Sequence, residues 1–273
     1  MRQIFQALES CGAAAAGAVG IEPLFKVMDS QKRRRAESEL PGVKSLICAV
    51  FPYFAGFTPG DISLYARGED YHEVLRRGLQ WVVRGLAENR PEHRFKVYVD
   101  ASPYPETYAA ALCDLGSIGR HGLLIAPTHG SFVFIGTIAS TIPAFGGNTP
   151  LHCVGCGKCM EACPGKALSI DGMRLQNCAS HINQLRGALD PRQTEIVARA
   201  RMVWGCDICQ KVCQENRGMP LSTIKAFTSG LIHSFPRQDA ELGRREFMEK
   251  YGARAFSWRG PGPIRRNIGI IDG

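Results

Sequence analysis

Hydrophobic positions in the first half of the chain change period several times, which is typical of a fold that mixes strands and helices. Residues 43–53 form a mostly apolar run broken by a proline, which predicts a buried strand ending at a turn. Residues 70–89 carry apolar side chains at intervals of three and four, which predicts an amphipathic helix. Residues 95–100 alternate as a half-buried strand does and place Asp100 at its carboxyl end. The pattern predicts an α+β fold class.

The remaining N-terminal segments give weaker patterns. Residues 1–31 have a helical pattern that includes a glycine-broken alanine stretch. Residues 31–37 read Gln-Lys-Arg-Arg-Arg-Ala-Glu and predict a basic turn, which is either a solvated charge run or an anion contact. Residues 107–115 predict a further helix, and the proline- and glycine-containing stretch 143–150 predicts a linker into a second domain.

That second domain contains eight of the eleven cysteines, within about sixty residues. Its first run has the spacing C-x2-C-x2-C-x3-C-P, the bacterial ferredoxin pattern, in which the fourth cysteine ligates the other of two clusters. A later C-x2-C-x3-C run repeats this pattern with one cysteine fewer, and Cys178 lies between the two runs. The pattern assigns one cluster to Cys153, Cys156, Cys159 and Cys213, and the other to Cys163, Cys178, Cys206 and Cys209. A pair of zinc sites is the alternative for thiolates at such short spacing.

Composition limits the setting of these cysteines. No apolar run is long enough to span a bilayer and the first residues lack a secretory pattern, so we expect no membrane association. Thiolates at this density need a reducing compartment, which predicts a cytoplasmic protein. The formal charge of +8 favours a polyanionic partner such as nucleic acid, with a solvated basic surface as the alternative.

Two carboxylates outside the cysteine segment are candidates for catalysis. Asp100 ends a strand and faces a loop, a common place for a catalytic group, although an N-cap or turn role explains it equally well. Glu106 is the second candidate, but its position suits the first turn of a helix.

Several motifs together resemble the epoxyqueuosine reductases, the cobalamin and iron–sulfur enzymes related to reductive dehalogenases that complete queuosine synthesis on tRNA. The matching stretches extend over most of the chain from about residue 33. They are Tyr65-Ala-Arg-Gly-Glu-Asp-Tyr71-His72, Val99-Asp100-Ala-Ser-Pro103-Tyr-Pro-Glu106, Leu115-Gly-Ser-Ile-Gly119-Arg, Gly130-Ser131-Phe-Val-Phe, the cysteine block, Trp204-Gly-Cys206-Asp-Ile-Cys209-Gln and Arg266-Asn267.

The resemblance implies a nitroreductase-like cobalamin-binding domain and a two-[4Fe-4S] ferredoxin-like domain. It implies reduction of epoxyqueuosine to queuosine in tRNA, fed by an external donor such as a flavodoxin or ferredoxin. Asp100 matches the family's proton donor. Four softer matches to cobalamin contacts are Arg35, Ser180, Asn183 and Arg186. The expected boundaries are 1–146 for the cobalamin domain, 147–220 for the clusters and 221–273 for a basic tail that packs on the core.

The chain departs from the family pattern at several points. Arg120-His121 stands where the family commonly has a lysine, and His181 replaces a common tyrosine. The sequence given ends before the C-terminal helical repeats of many members, so we expect a short form. Two alternatives follow, namely a paralogous corrinoid and iron–sulfur reductase of another small organic substrate, or an electron-transfer protein that reduces a partner's corrinoid.

Overall fold

The computed structural model describes residues 2–144 and 146–273 of the chain, which divides into two compact units. The first unit comprises Met1–Pro52, His72–Gly119 and Leu123–Cys153, and the second comprises Tyr53–Tyr71, Arg120–Gly122 and Val154–Gly273. The second unit therefore holds residues from both sides of the expected boundary at 146. The functional division at 146 and 220 stays a prediction.

The first unit is built on an antiparallel sheet covered by helices. Its helices are α1 (Arg2–Ser10), α2 (Ile21–Val27), α3 (Ser30–Glu39), α4 (Tyr71–Asn89) and α5 (Glu106–Leu112). Its strands are β1 (Ala15–Gly20), β2 (Ser45–Pro52), β3 (Phe95–Val99), β4 (Ser117–Ile118), β5 (Leu124–Ile125) and β6 (Val133–Ser140). The strand order in the main sheet is β1-β2-β6-β3, and β4 pairs with β5 separately.

Strand β2 is the centre of this unit, and every one of its residues is buried. Alternate residues Leu46, Cys48 and Val50 join the hydrophobic cluster that includes the alanines of α5. On the other face, a Cβ added at Gly136 of β6 would lie 2.8 Å from Leu79 of α4. A glycine at this position lets α4 pack directly on the sheet. Because both faces are covered, β2 is a continuous apolar run, and the predicted buried strand is confirmed.

The predicted helix over residues 70–89 is confirmed as α4, and the strand ending at Asp100 is confirmed as β3. The helical prediction for the alanine stretch is wrong, because residues 15–20 form β1 in register with β2. Small residues suit this strand, since a Cβ at Gly17 would meet Cys113 at 2.7 Å. The predicted basic turn is also wrong. Its residues lie in α3, where Asp29 caps the helix by accepting from the Lys32 amide at 2.8 Å.

The second unit is made of short helices with one small hairpin, which suits a domain whose chain wraps around cofactors. Its helices are α6 (Lys158–Ala162), α7 (Ala179–Ile182), α8 (Pro191–Ala200), α9 (Ile208–Lys211), α10 (Lys225–Thr228), α11 (Arg244–Tyr251) and α12 (Pro261–Asp272). Its strands are β7 (Leu168–Ser169) and β8 (Gly172–Met173). The predicted α+β class is confirmed by the two units together.

Segment Tyr53–Tyr71 belongs to the second unit because its backbone and side chains pair there. Ile62 forms a parallel bridge with Trp204, and the Ile62 amide donates to the His233 carbonyl at 3.0 Å. The buried Arg67 guanidinium donates to the carbonyls of Ile62 and Thr58 at 2.7 and 2.8 Å. No helix among residues 2–144 and 146–273 combines the length and apolar character needed to cross a bilayer.

Candidate functional site

Asp100 follows β3 directly and adopts a left-handed backbone conformation, with φ at 60°. Aspartate is one of the few residues other than glycine that enter this region at modest cost, because its short side chain forms local hydrogen bonds. The turn is closed by the Ala101 amide, which donates to the Val99 carbonyl at 2.8 Å. The Asp100 side chain is 57% exposed, so it stands open to a substrate at the end of the strand.

His72 is one partner of this carboxylate. Its Nε2 lies 3.3 Å from Asp100 Oδ2, and its ring is partly exposed. The histidine stands in the first turn of α4, so the helix that packs on the sheet also fixes the position of the ring. A histidine within hydrogen-bond distance of a carboxylate orients it and exchanges protons with it.

Arg35 of α3 anchors the loop that carries Asp100. Its Nη2 donates to the Ala101 carbonyl at 2.7 Å, and its Nε donates to Glu39 Oε1 at 2.8 Å. The other oxygen of Glu39 accepts from the Tyr98 hydroxyl at 2.7 Å. Burial alone would raise the pKa of Glu39, but the Tyr98 and Arg35 hydrogen bonds outweigh it and hold this pKa below its ordinary value. The arginine is thereby held between a charged partner and the loop.

Glu106, the first residue of α5, is the second carboxyl of this region. Burial and, to a smaller extent, the charge of Asp100 raise its pKa to about 8, against the opposing effect of the hydrogen bond from the Thr137 hydroxyl at 3.2 Å. Near neutral pH Asp100 therefore faces an acid that still holds its proton. Two carboxyl groups whose environments separate their protonation states are typical of acid–base sites.

The cysteine segment of the second unit gathers its thiols around α6 and α9, which pack together. Cys159 and Cys163 are buried in one hydrophobic cluster against which Cys178 and Cys209 pack. The Ala167 amide donates to the Cys163 sulfur at 3.2 Å. A donor aimed at a sulfur stabilises its thiolate form, which is the form that binds metal.

Five of these thiols also act on one another electrostatically. Burial, together with the nearby Asp207, Cys178 and Cys163, raises the pKa of Cys206 to about 12. Burial likewise raises the pKa of Cys209 well above its ordinary value, and the further causes are Cys206, Cys178, Cys163 and Cys159. Buried thiols that repel one another as anions suit a cationic iron–sulfur cluster, because metal binding drives their deprotonation. Cys163, Cys178, Cys206 and Cys209 are the set predicted for one cluster, and Cys159 is predicted for the other.

The backbone on either side of Cys206 is held by three sets of contacts. Gly205 has φ at 69°, and a Cβ there would lie 2.4 Å from Ser63 Cβ, so only glycine fits. The Ser63 hydroxyl and the Leu64 amide donate to the buried Asp207 carboxylate at 2.5 and 2.9 Å. Asn183 closes the third side, accepting from the Gly205 amide at 3.1 Å and donating to the Gly205 carbonyl at 2.8 Å. This bracing sets the direction in which Cys206 leaves the chain.

The remaining predicted ligands are spread over both units. Cys153 lies in the first unit, where its amide donates to the Ile118 carbonyl at 3.1 Å. Cys156 is exposed in the loop before α6, and Cys213 is partly buried after α9. Their assignment to one cluster stays a prediction.

The predicted cobalamin contacts lie in different surroundings. Asn183 is fully buried and its amide is used on Gly205, while Arg35 is used on Glu39 and Ala101. Ser180 is partly buried in α7, and Arg186 is exposed in the loop after it. Among the departures from the family pattern, Arg120 donates to the Ile170 carbonyl at 2.7 Å and His181 is partly buried in α7. The cobalamin role of the four residues stays a prediction.

The sequence gives His72 no role, and it makes Glu106 a second candidate for catalysis whose position suits a helix start. His72 was visible within a family motif, but the pairing across 28 positions depends on how α4 lies on the sheet. Glu106 does begin α5, and only its burial against the sheet shows that its protonation is unusual.

Comparison with known families now adds to this geometry. Residues 33–101 match the family model described as "Epoxyqueuosine reductase QueG, DUF1730". Residues 152–216 match the "4Fe-4S double cluster binding domain" model, so the cysteine segment binds two [4Fe-4S] clusters and the zinc alternative is set aside. The first match ends one residue after Asp100.

Two curated relatives are similar over most of this chain. The chain is 32% identical to an epoxyqueuosine reductase of Lactococcus garvieae over 77% of its own length, and spans 60% of that protein. It is 30% identical to an epoxyqueuosine reductase of Bacillus cereus over 89% of its length, and spans 67% of that protein.

A solved structure supports the fold. The crystal structure of an epoxyqueuosine reductase with an epoxyqueuosine-modified tRNA-Tyr stem loop superposes with a TM-score of 0.84. The superposition covers 98% of this chain and 80% of that one, at 24% sequence identity. The chain belongs to the epoxyqueuosine reductase family.

Proposed function

We propose that this protein is a cobalamin- and [4Fe-4S]-dependent reductase that converts epoxyqueuosine to queuosine in tRNA. The observation that carries the proposal is the Asp100 site, where a strand-end carboxylate stands beside His72 and the protonated Glu106. Removal of an epoxide oxygen as water consumes two electrons and two protons. Groups that hold and deliver protons are therefore what this chain itself must supply.

In this proposal Asp100 delivers the proton to the epoxide oxygen. Its exposure gives it access to the substrate, and the Arg35 contact to Ala101 fixes the loop that presents it. His72 holds the carboxylate in orientation and supplies it with a proton. Glu106 keeps its own proton near neutral pH and so adds no negative charge beside Asp100.

Iron–sulfur clusters and cobalamin supply the electrons, and their redox chemistry is their own. For the clusters the chain offers the eight predicted cysteines, five of which share one electrostatically coupled region. For cobalamin the fit is partial. Ser180 and Arg186 make no side-chain hydrogen bond within the described part of the chain, whereas the side chains of Arg35 and Asn183 are already used. Those two would hold the binding surface in place rather than bond the corrin directly.

The same proposal sets the partners and the compartment. The tRNA substrate agrees with the formal charge of +8 and with the family, one of whose members has been solved with an epoxyqueuosine-modified tRNA stem loop. A flavodoxin or ferredoxin in the cytoplasm would feed the clusters. We assign residues 1–146 to catalysis, 147–220 to electron transfer and 221–273 to a supporting tail.

Anaerobic turnover tests this function. The protein is reconstituted with iron, sulfide and cobalamin, given a low-potential reductant, and incubated with epoxyqueuosine-containing tRNA. Mass spectrometry of the digested RNA should show the modified nucleoside losing one oxygen atom. A matched incubation without cobalamin should show no loss. Full cofactor loading without conversion on the RNA or on the free nucleoside would overturn the proposal in favour of another small substrate.

A further inference from the structure

Four arginines of the second unit line one open cavity of about 610 Å³. They come from three separate parts of the sequence, namely the loop after α7, the start of α11 and the segment around the start of α12. The arginines are Arg186, Arg244, Arg259 and Arg266. No Asp or Glu is among the described residues that line it, so all the charged side chains that line the cavity are positive.

Arg266 holds the backbone of one wall of this cavity in place. Its guanidinium donates to the carbonyls of Leu185 and Gly187 at 2.6 and 2.8 Å, and so shapes the loop that carries Arg186. Burial lowers the pKa of Arg266, which shows that its charge is poorly solvated. A poorly solvated cation that is paired only with neutral carbonyls gains from a nearby anion.

The other three guanidinium groups have hydrogen-bond donors that are not used within the described part of the chain. Arg186 and Arg244 are exposed, and in the described part of the chain neither forms a hydrogen bond or an ion pair. The Nε of Arg259 is buried and has no hydrogen-bond partner among the described residues. An unmade bond at a buried donor is costly, and an anion in the cavity would remove that cost.

Trp258 adds an aromatic surface beside the charges. The Arg259 guanidinium stacks on its indole at 3.7 Å, and the tryptophan is still 53% exposed. An exposed indole next to arginine is a surface on which a nucleic-acid base stacks while a phosphate meets the guanidinium groups. The start of α12 itself contributes little, because Pro261 and Pro263 have no amide hydrogen to offer an anion.

We infer that this four-arginine cavity binds a backbone phosphate of the RNA substrate, with Trp258 stacking on an adjacent base. Planar guanidinium groups match phosphate geometry through paired hydrogen bonds, and three of them approach from different elements. The inference rests on the proposed tRNA substrate, and it assigns the RNA contact to residues that lie apart from the Asp100 site in the sequence.

The test compares two double variants that remove equal charge. Arg186→Ala/Arg244→Ala removes the two free cavity arginines, while Arg192→Ala/Arg245→Ala removes exposed arginines of α8 and α11 that do not line the cavity. The probe is an RNA hairpin with the anticodon stem-loop sequence of a tyrosine tRNA, titrated against the holoprotein at several salt concentrations. Cobalamin content is measured in parallel.

We expect the cavity variant to bind the hairpin about fivefold more weakly at about 0.1 M salt, with the slope of log K against log salt smaller by about 0.7. The control variant should keep most of the wild-type affinity and most of the wild-type salt slope. Equal losses in the two variants would overturn the inference. So would a cavity variant that keeps its affinity for the hairpin, or one whose RNA defect follows a loss of cobalamin. Because binding is measured without turnover, a wild-type protein that holds RNA here but reduces no epoxyqueuosine would fail only the proposed function.

Discussion

His72 Nε2 lies 3.3 Å from Asp100 Oδ2, so the first turn of α4 and the end of β3 meet at one carboxylate. The two residues are joined through the packing of α4 on the sheet, where Leu79 lies against Gly136. Any disturbance of that packing changes the geometry of the acid. The pair is therefore a direct link between the core of the first unit and its chemistry.

Replacing His72 with alanine should lower kcat about tenfold to hundredfold, because Asp100 loses the group that orients it and returns its proton. The measurement is steady-state turnover with cobalamin and iron contents matched to the wild type. His93→Ala is the control, since His93 also pairs with an acidic neighbour, Glu92, at 3.4 Å in the same unit. An equal loss in both variants would argue against a role for His72.

Arg35→Ala should release the Asp100 loop, because the hydrogen bond to the Ala101 carbonyl is lost. We expect faster amide hydrogen exchange at residues 100–104 and a lower kcat, with cobalamin content unchanged. Arg34→Ala on the same helix removes the same charge and should change neither the hydrogen exchange of residues 100–104 nor kcat. Loss of cobalamin in the Arg35 variant alone would instead support the corrin contact that the family resemblance predicts.

Glu106 should make the stability of the protein depend on pH. Its pKa is about 8 in the folded protein against an ordinary 4.5, so the folded state holds the proton more tightly. The stabilisation is complete below pH 4.5 and is lost as pH rises through about 8, by up to about 1.4 kcal/mol per pH unit. Between about pH 5 and 8 the thermal midpoint of the wild type should fall relative to that of Glu106→Gln, whose neutral amide does not titrate, so the two midpoints diverge as pH rises.

Glu39→Gln is the control for this experiment. The pKa of Glu39 is lowered, so its contribution is present above its ordinary pKa and is lost only as pH falls through the lowered value. The difference between wild type and this variant should stay constant over the same range. A constant difference for Glu106→Gln as well would mean that its carboxyl titrates normally.

Cys178→Ala should remove one cluster and leave the other. Cys178 contacts the region of Cys163 and Cys209, so we expect about four irons per chain in place of about eight. Iron analysis and the visible absorbance of the clusters measure this. Cys11→Ala lies outside both predicted sets and should keep full iron. Full iron content in the Cys178 variant would show that the ligand assignment is incorrect.

Local sequence predicted those features whose residues follow a characteristic spacing along the chain. The cysteine runs predicted the two clusters, and the alternation of residues 95–100 predicted where Asp100 stands, because both signals lie within a few residues. Strand β1 was not predicted, because its alanines and glycines by themselves do not favour a strand over a helix. It becomes a strand only through its six-residue register with β2, about 30 positions away.

Contacts between distant residues account for the rest. The pairs His72–Asp100 and Arg35–Ala101 join positions 28 and 66 apart, and the arginine cavity draws on residues from 186 to 266. Charge composition indicated a polyanion without saying where it binds. Burial likewise decides the protonation of Glu106, and no local pattern reports burial of a polar residue at a helix start.

Single-turnover reduction by Asp100→Asn, compared with Asp114→Asn, tests the central claim most directly. Both aspartates have φ at 60°, so the two substitutions are matched in backbone and chemistry, and Asp114 lies outside the site. We predict that Asp100→Asn retains its clusters and cobalamin but loses at least about a hundredfold in rate, while Asp114→Asn reacts as the wild type does. An Asp100→Asn protein that reduces epoxyqueuosine at the wild-type rate would contradict the assignment of Asp100 as the proton donor.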